Sequence, residues 1–167
     1  RGLEIKRLEK IGFPNSLGEF YAAFTEFCGF ETYSQEGKLM GLAAYGGPNE
    51  EIAKLMARVF RVEHEGYQVD ARYTIDGPHS YGYAFSDSMV ELFGAPRGKN
   101  DEITQRHKDI AWAAQDMLER GATEIVKKAG IEGKVFLQLL IDFDWHVKMA
   151  VVAKSSGNVS LDEAAVE

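Results

Sequence analysis

Residues 16–29 constrain this chain more than any other stretch. Ser16-Leu17-Gly18-Glu19 has the spacing of a capping box, in which a hydroxyl and a carboxylate three residues apart satisfy free N–H groups at a helix start. Leu17, Phe20, Tyr21, Phe24, Phe27 and Cys28 follow at helical spacing, and Gly29 supplies a stop. Such an aromatic stripe can line a ligand box, but helices ordinarily use one to bury a face. The fold is therefore expected to form its core around this helix.

The rest of the chain is long enough to supply that core. Its 167 residues suit one ordinary domain, and 45% hydrophobic with 27% charged residues is globular composition. Net charge is −7, so a phosphate backbone is repelled and nucleic acid is not an expected partner. The strongest basic cluster is the pair Lys127 and Lys128. Cys28 stands alone, which excludes an internal disulfide and a cysteine zinc site; between Phe27 and Phe30 it reads as a buried thiol, with a nucleophile as the alternative. No apolar run reaches the roughly 18 residues of a membrane span. No membrane association is expected, and the cytoplasm is the expected compartment. The opening Arg-Gly-Leu-Glu-Ile-Lys, without Met, reads as a segment of something longer.

Further elements follow from periodicity and punctuation. A short helix is expected over residues 38–44, closed by Gly46-Gly47-Pro48, and another over 50–60 with Ile52, Leu55, Met56 and Val59 on one face. Residues 67–75 alternate like a strand, and Asp76-Gly77-Pro78 turns the chain. A helix over 86–93 ends at Gly94, and a polar loop surrounds Pro96-Arg97-Gly98. The longest helix is expected from 102 or 103 to 129, with Ile103, Ile110, Ala111, Ala114, Leu118, Ile125 and Val126 as its apolar stripe. Residues 135–143 read as a buried strand, and 154–167 as a polar, frayed tail after a domain of 1–153.

Chemistry-bearing motifs are sparse. His64, His79, His107 and His146 never fall within four residues of one another, so no helical histidine pair can face a metal. His107 reads as solvated or as a helix–loop hydrogen bond. No Walker loop, dinucleotide fingerprint or nucleophile elbow is present. Glu36-Gly37-Lys38 is the exception: an acid and a base flank a glycine, with Gly41 further on, where backbone can approach a ligand closely. A carboxylate there can hold ribose hydroxyls, and a lysine can meet phosphate or carbamoyl oxygens. The alternative is a Glu–Lys surface pair on a tight turn.

Longer blocks carry a family resemblance. Gly12-Phe13-Pro14-Asn15-Ser16-Leu17-Gly18-Glu19-Phe20-Tyr21-Ala22-Ala23-Phe24-Thr25 resembles the Phe-Pro-His-Ser-Leu-Gly…Tyr…Ala-Phe-Thr segment of the carbamoyltransferases that act on nodulation factors and on aminoglycoside, coumarin and cephamycin antibiotics. Glu36-Gly37-Lys38-Leu39-Met40-Gly41-Leu42-Ala43-Ala44-Tyr45-Gly46 resembles that family's Gly-Glu-x-Lys-(Val/Leu)-Met-Gly-Leu-Ala-(Pro/Ala)-Tyr-Gly block. Leu92-Phe93-Gly94-Ala95-Pro96-Arg97 and Arg106-His107-Lys108-Asp109-Ile110-Ala111, with Gln115 and Glu119, match its later pattern in order and spacing. The resemblance covers roughly residues 10–130. It extends to the proteins that make threonylcarbamoyl-adenosine in tRNA, whose Gly-Glu-Ala-(Phe)-Asp-Lys block would fall at residues 36–47.

The resemblance implies part of an actin-like, sugar-kinase-like ATPase (ASKHA) fold of the α/β class, helix-rich here with a few strands. The implied reaction moves a carbamoyl group from carbamoyl phosphate, through an ATP-derived carbamoyl-adenylate, onto a hydroxyl of a sugar-like or antibiotic acceptor. A divalent iron-type metal is the implied Lewis acid. The implied adenylate-binding residues are Glu36, Gly37 and Lys38 along the cleft, with Gly41, Tyr45 and Gly46 shaping the loop. Two features depart from the family: its His-x-x-x-His metal pair is missing, and Val135-Phe136-Leu137-Gln138-Leu139-Leu140-Ile141-Asp142-Phe143-Asp144 stands where a Gly-Gly-Val-Ala-Leu-Asn loop is expected. Asp142 and Asp144 read as solvated acids or as metal ligands at a strand end. The implied fragment, lacking the adenylate-forming lobe, is expected to bind no cofactor strongly, and a folded remnant or interaction domain without activity is the alternative.

Overall fold

In a computed structural model, residues 10–64, 66–74 and 84–128 are described in full, and 135–141 and 147–153 as backbone. The capping-box helix forms as α1, Leu17–Phe27, with Ser16 Oγ accepting the Glu19 N–H at 3.3 Å. Glu19's carboxylate takes the Tyr33 hydroxyl at 2.9 Å, which ties the helix start to the following loop. Helix α2 covers Glu36–Ala43 and α3 covers Glu50–Val59. Asn49 caps α3, its Oδ1 accepting from the Glu51 and Ile52 N–H groups at 3.1 and 3.3 Å.

A hairpin follows directly. Strand β1, Phe60–Glu63, pairs antiparallel with β2, Gly66–Val69, in the register Phe60 to Val69 and Glu63 to Gly66. The strand expected over 67–75 is thus shorter and belongs to a hairpin whose first strand periodicity did not reveal. It stops because Asp70 leaves the ladder and holds the Arg72 N–H and guanidinium, turning the chain. The turn expected at Asp76-Gly77-Pro78 lies outside the described residues.

Helix α4, Asp87–Phe93, stops at Gly94 with φ +86°, a backbone conformation glycine adopts freely. Helix α5 spans Gln105–Lys128. Strands β3, Val135–Ile141, and β4, Val147–Ala153, form a second antiparallel pair. The helix-rich α/β expectation therefore holds, with two-stranded sheets. The tail expected over 154–167 lies outside the described residues.

The core gathers where the aromatic stripe predicts. Phe20, Phe24 and Phe27 are sealed from solvent together with Phe60, Phe93, Leu39, Ile52, Met56, Met89 and Ile110. Phe24 meets Phe93 edge-on at 5.5 Å between ring centroids, and Phe20 lies 4.8 Å from Phe60. Each such pair adds about 0.5–1.5 kcal/mol beyond its area burial. Helix α5 is the spine: it packs against α1, α2, α3 and the β1–β2 hairpin. Gly121 permits this, since a Cβ there would sit 2.7 Å from the Phe60 ring. Cys28 is fully buried at the end of α1, and burial pushes its thiol up to about 12, so the inert reading holds.

Candidate functional site

Glu36, Gly37 and Lys38 lie in the first turn of α2. The tight turn considered from sequence is corrected on this point, and so is the expected start of the helix at residue 38. An acid in the first turn favours a helix N-terminus, and Leu39, Leu42 and Ala43 bury the inner face at helical spacing. Two glycines in eight residues hid the helix, since each costs about 1 kcal/mol against alanine.

Glu36 acts first on its own chain. Its Oε1 accepts the N–H of Tyr33, whose φ of +60° is a left-handed conformation that costs a non-glycine residue roughly 1–2 kcal/mol. Its carboxylate and that of Glu19 thus hold Tyr33 from two sides. Lys38 is exposed and, among the described residues, makes no ion pair, so the Glu–Lys surface pair considered from sequence does not form.

The outward face of α2 is unusually bare. Gly37, Lys38, Met40, Gly41 and Ala44 are exposed, as is Tyr45 just beyond the helix. Met40 is 58% and Tyr45 73% exposed, against sealed neighbours such as Leu39. A Cβ built on Gly37 or Gly41 would meet no atom within 4 Å. Packing among the described residues therefore gives no reason for either glycine.

Gly46 is different. A Cβ there would lie 2.1 Å from the Lys108 carbonyl oxygen and 2.9 Å from Trp112 Cβ, so its backbone is pressed onto α5. Asp109 secures the same loop. Its carboxylate accepts Asn49 Nδ2 at 3.0 Å and Gln105 Nε2 at 2.8 Å, and Gln105 Nε2 also reaches the Tyr45 carbonyl at 3.4 Å. Burial pushes Asp109 up, but the hydrogen bonds from Asn49, Gln105 and the Gly47 N–H, with the Lys108 charge, outweigh it and hold the carboxyl low. Of the residues singled out from sequence, Gly46 and Tyr45 are thus fixed to α5, while Gly37, Lys38 and Gly41 face outward.

Sequence reasoning did not single out Tyr33, Asn49 or Asp109 for these roles. Asn49 carried a legible signal, an asparagine immediately before Glu50-Glu51 at a helix start. Gln115 and Glu119 gain a physical role. Tyr21's hydroxyl donates to Gln115 Oε1 at 2.7 Å, and Gln115 Nε2 donates to Glu119 Oε1 at 2.7 Å, a chain from the core to the surface. Burial, then the charges of Cys28, Glu119 and Glu36, keeps the Tyr21 phenol protonated well above its ordinary range.

His107 makes the helix–loop hydrogen bond considered from sequence, its Nδ1 lying 3.1 Å from the Thr104 N–H. Burial and the Arg97 and Arg106 charges lower its pKa. His64 is exposed at the β1–β2 turn; His79, His146, Asp142 and Asp144 lie outside the described residues. Among the described residues, no three His, Cys, Asp or Glu side chains converge on a point that would hold a metal ion. The described residues therefore bring together no donor set for the implied iron-type metal. Among the same residues, no helix is long and apolar enough to cross a membrane.

A concavity of about 360 Å³ lies elsewhere, lined by Lys10, Ile11, Gly12, Phe13, Asn15, Gly66, Tyr67, Ile125 and Lys128.

Comparison with known proteins places this geometry in a family. An uncharacterized protein of Synechocystis sp., sll1178, is 36% identical over 118 residues, 66% of this chain and 18% of that protein. An uncharacterized protein of Methanocaldococcus jannaschii, MJ1058, is 44% identical over 50 residues, 30% of this chain and 8% of that protein. The chain spans less than a fifth of the length of these curated relatives. The family described as carbamoyltransferase N-terminus matches residues 3–139. With its core helices, the α2 block and α5 all inside that match, the chain belongs to the carbamoyltransferase N-terminal family.

Proposed function

We propose that this chain supplies one wall of the adenylate cleft of an O-carbamoyltransferase, the wall being the outward face of α2. In this reading the family's carbamoyl transfer runs from carbamoyl phosphate through carbamoyl-adenylate to a hydroxyl of a sugar-like or antibiotic acceptor. The whole protein adopts the two-lobed actin-like arrangement, of which these residues are a part.

The observation that carries the reading is the pair Gly37 and Gly41. Each weakens α2, and among the described residues no neighbour needs either. Glycines on an exposed helix face allow a ligand to approach the backbone closely. Beside them, Lys38, which makes no ion pair among the described residues, offers a cation for phosphate or carbamoyl oxygens. Glu36 keeps Tyr33 on one carboxylate oxygen and offers the other to ribose hydroxyls. Tyr45 stands exposed at the end of the face, and Gly46 and Asp109 hold its backbone still. When bound, the nucleotide carries the activated carbamoyl group; the chain's own residues orient it and neutralise its charge.

Calorimetric titration with ADP tests the wall directly. Weak binding that Lys38→Ala removes supports it, whereas unchanged binding in that variant removes Lys38 from the site. A carbamoyl-transfer assay on the protein carrying its full flanking sequence, with the same substitution, tests the activity. The second reading is a folded domain without activity of its own, favoured by the open, solvent-facing position of the α2 face. Absence of transfer by the flanked protein selects it.

A further inference from the structure

Gly37, Gly41 and Tyr45 stand four residues apart, so successive members lie about one helical turn from each other. The series does not stop with α2 at Ala43. Ala44 keeps helical dihedrals, φ −64° and ψ −17°, while the Tyr45 N–H donates to the Leu42 carbonyl at 3.0 Å and the Gly46 N–H to the Ala43 carbonyl at 3.1 Å. This tightened last turn carries Tyr45 one turn beyond Gly41, and all three residues are exposed. From Gly37 to Tyr45 the rise is roughly 12 Å at about 1.5 Å per residue, a length comparable with that of a nucleotide.

The two ends of this face differ in chemistry. Glu36 and Lys38 put a carboxylate and an ammonium at its start, whereas Met40, Ala44 and Tyr45 put apolar surface at its far end. Tyr45, at 73% exposure, leaves most of its ring for a ligand to cover. Its backbone is fixed from behind by α5: Gly46 presses on the Lys108 carbonyl, the Gly47 N–H meets the Asp109 carboxylate, and Gln105 reaches the Tyr45 carbonyl. A tyrosine ring has only two side-chain torsions to lose, so an anchored one offers a flat contact at low entropic cost.

We infer that Tyr45 is the residue that selects the base of the nucleotide, its ring stacking on the flat heterocycle while Lys38 and Glu36 meet phosphate and ribose at the other end of the face. The inference rests on the α2 reading and deepens it. A stacked ring recognises a planar heterocycle by its face and reads no hydrogen-bond pattern, so the selection is for a ligand with an aromatic base over one without.

Calorimetry on the protein with its flanking sequence measures ADP affinity in the native, Tyr45→Ala and Tyr45→Trp forms, with melting temperatures to check folding. Tyr45→Ala is expected to lose about tenfold, within the range that base–aromatic stacking supplies, and Tyr45→Trp to keep the native affinity or better. The introduced indole adds a second readout. Its fluorescence is expected to be quenched by ADP but not by pyrophosphate, once the same titrations of the native protein are subtracted. A merely structural Tyr45 gives neither the rescue nor the base-dependent quench. ADP affinity unchanged in Tyr45→Ala, with Lys38→Ala still removing binding, overturns this inference and leaves the α2 reading standing. ADP that fails to bind the native protein overturns both.

Discussion

The Arg97 guanidinium donates to the Cys28 carbonyl oxygen at 3.0 Å, joining residues 69 positions apart at the end of α1. The same side chain reaches the Gly29, Lys99 and Asp101 carbonyls at 3.3, 3.2 and 2.9 Å, and its backbone N–H donates to Phe27 O at 2.9 Å. It lies over the Phe30 ring, 5.6 Å from its centroid. One residue thus satisfies the carbonyls at the end of the aromatic helix, Phe27 by its backbone N–H and Cys28 and Gly29 by its guanidinium, where the helix dipole favours positive charge. Gly29, at φ +78°, must be glycine for this, because a Cβ would lie 2.6 Å from Arg97 Nη1. Arg97→Ala is expected to cost about 2–3 kcal/mol, and Arg97→Lys to recover little, since lysine cannot span several carbonyls at once. Urea unfolding of both variants measures it.

Gly46→Ala forces a Cβ into the backbone carbonyl of Lys108 at 2.1 Å and is expected to destabilise by about 1–3 kcal/mol, as overpacking does. Gly47→Ala, where a Cβ meets none of the described residues, serves as the control and is expected to show no overpacking loss. Thermal melting of the pair makes the comparison.

Glu26 gives the stability a sign with pH. Burial raises its carboxyl above the ordinary value, although the Ala84 N–H it accepts works the other way. A group with a raised folded pKa contributes stability that is complete below its unfolded pKa and is lost as pH rises through the folded one. Glu26→Gln is therefore expected to gain on the native protein as pH rises above the unfolded carboxyl value, and to lose that advantage in acid. Urea midpoints measured from pH 4 to 8 give the difference curve; an advantage that grows toward acid contradicts it.

How much of this was legible in the residues depended on whether the signal was local. Ser16, the aromatic stripe and Gly29 describe α1 fully, because cap, period and stop all lie within fourteen positions. Helices α3, α4 and α5 followed for the same reason. Strand β1 did not, because Phe60 passes from helix to strand with no glycine or proline between, and its extended φ of −133° comes from pairing with Val69. The helical state of Glu36 and Gly37 was hidden by glycine's poor propensity and is secured by burial of Leu39 and Leu42. Motif order singled out Glu36, Gly41 and Gly46 as candidates. The bonds that hold them, Glu36 to a left-handed Tyr33 and Asn49 to an Asp109 sixty positions away, exist only once the chain is folded.

We propose that Gly37 and Gly41 stand in α2 for the sake of a ligand. The most direct test is Gly41→Ala, read twice: melting temperature of the chain, and carbamoyl transfer by the protein with its flanking sequence. Gly41→Ala is expected to raise Tm by about 2–4 °C, since it removes a helical glycine at which a Cβ would meet none of the described residues, and to lose about tenfold in transfer. A stabilised variant that transfers as well as the native protein would contradict it.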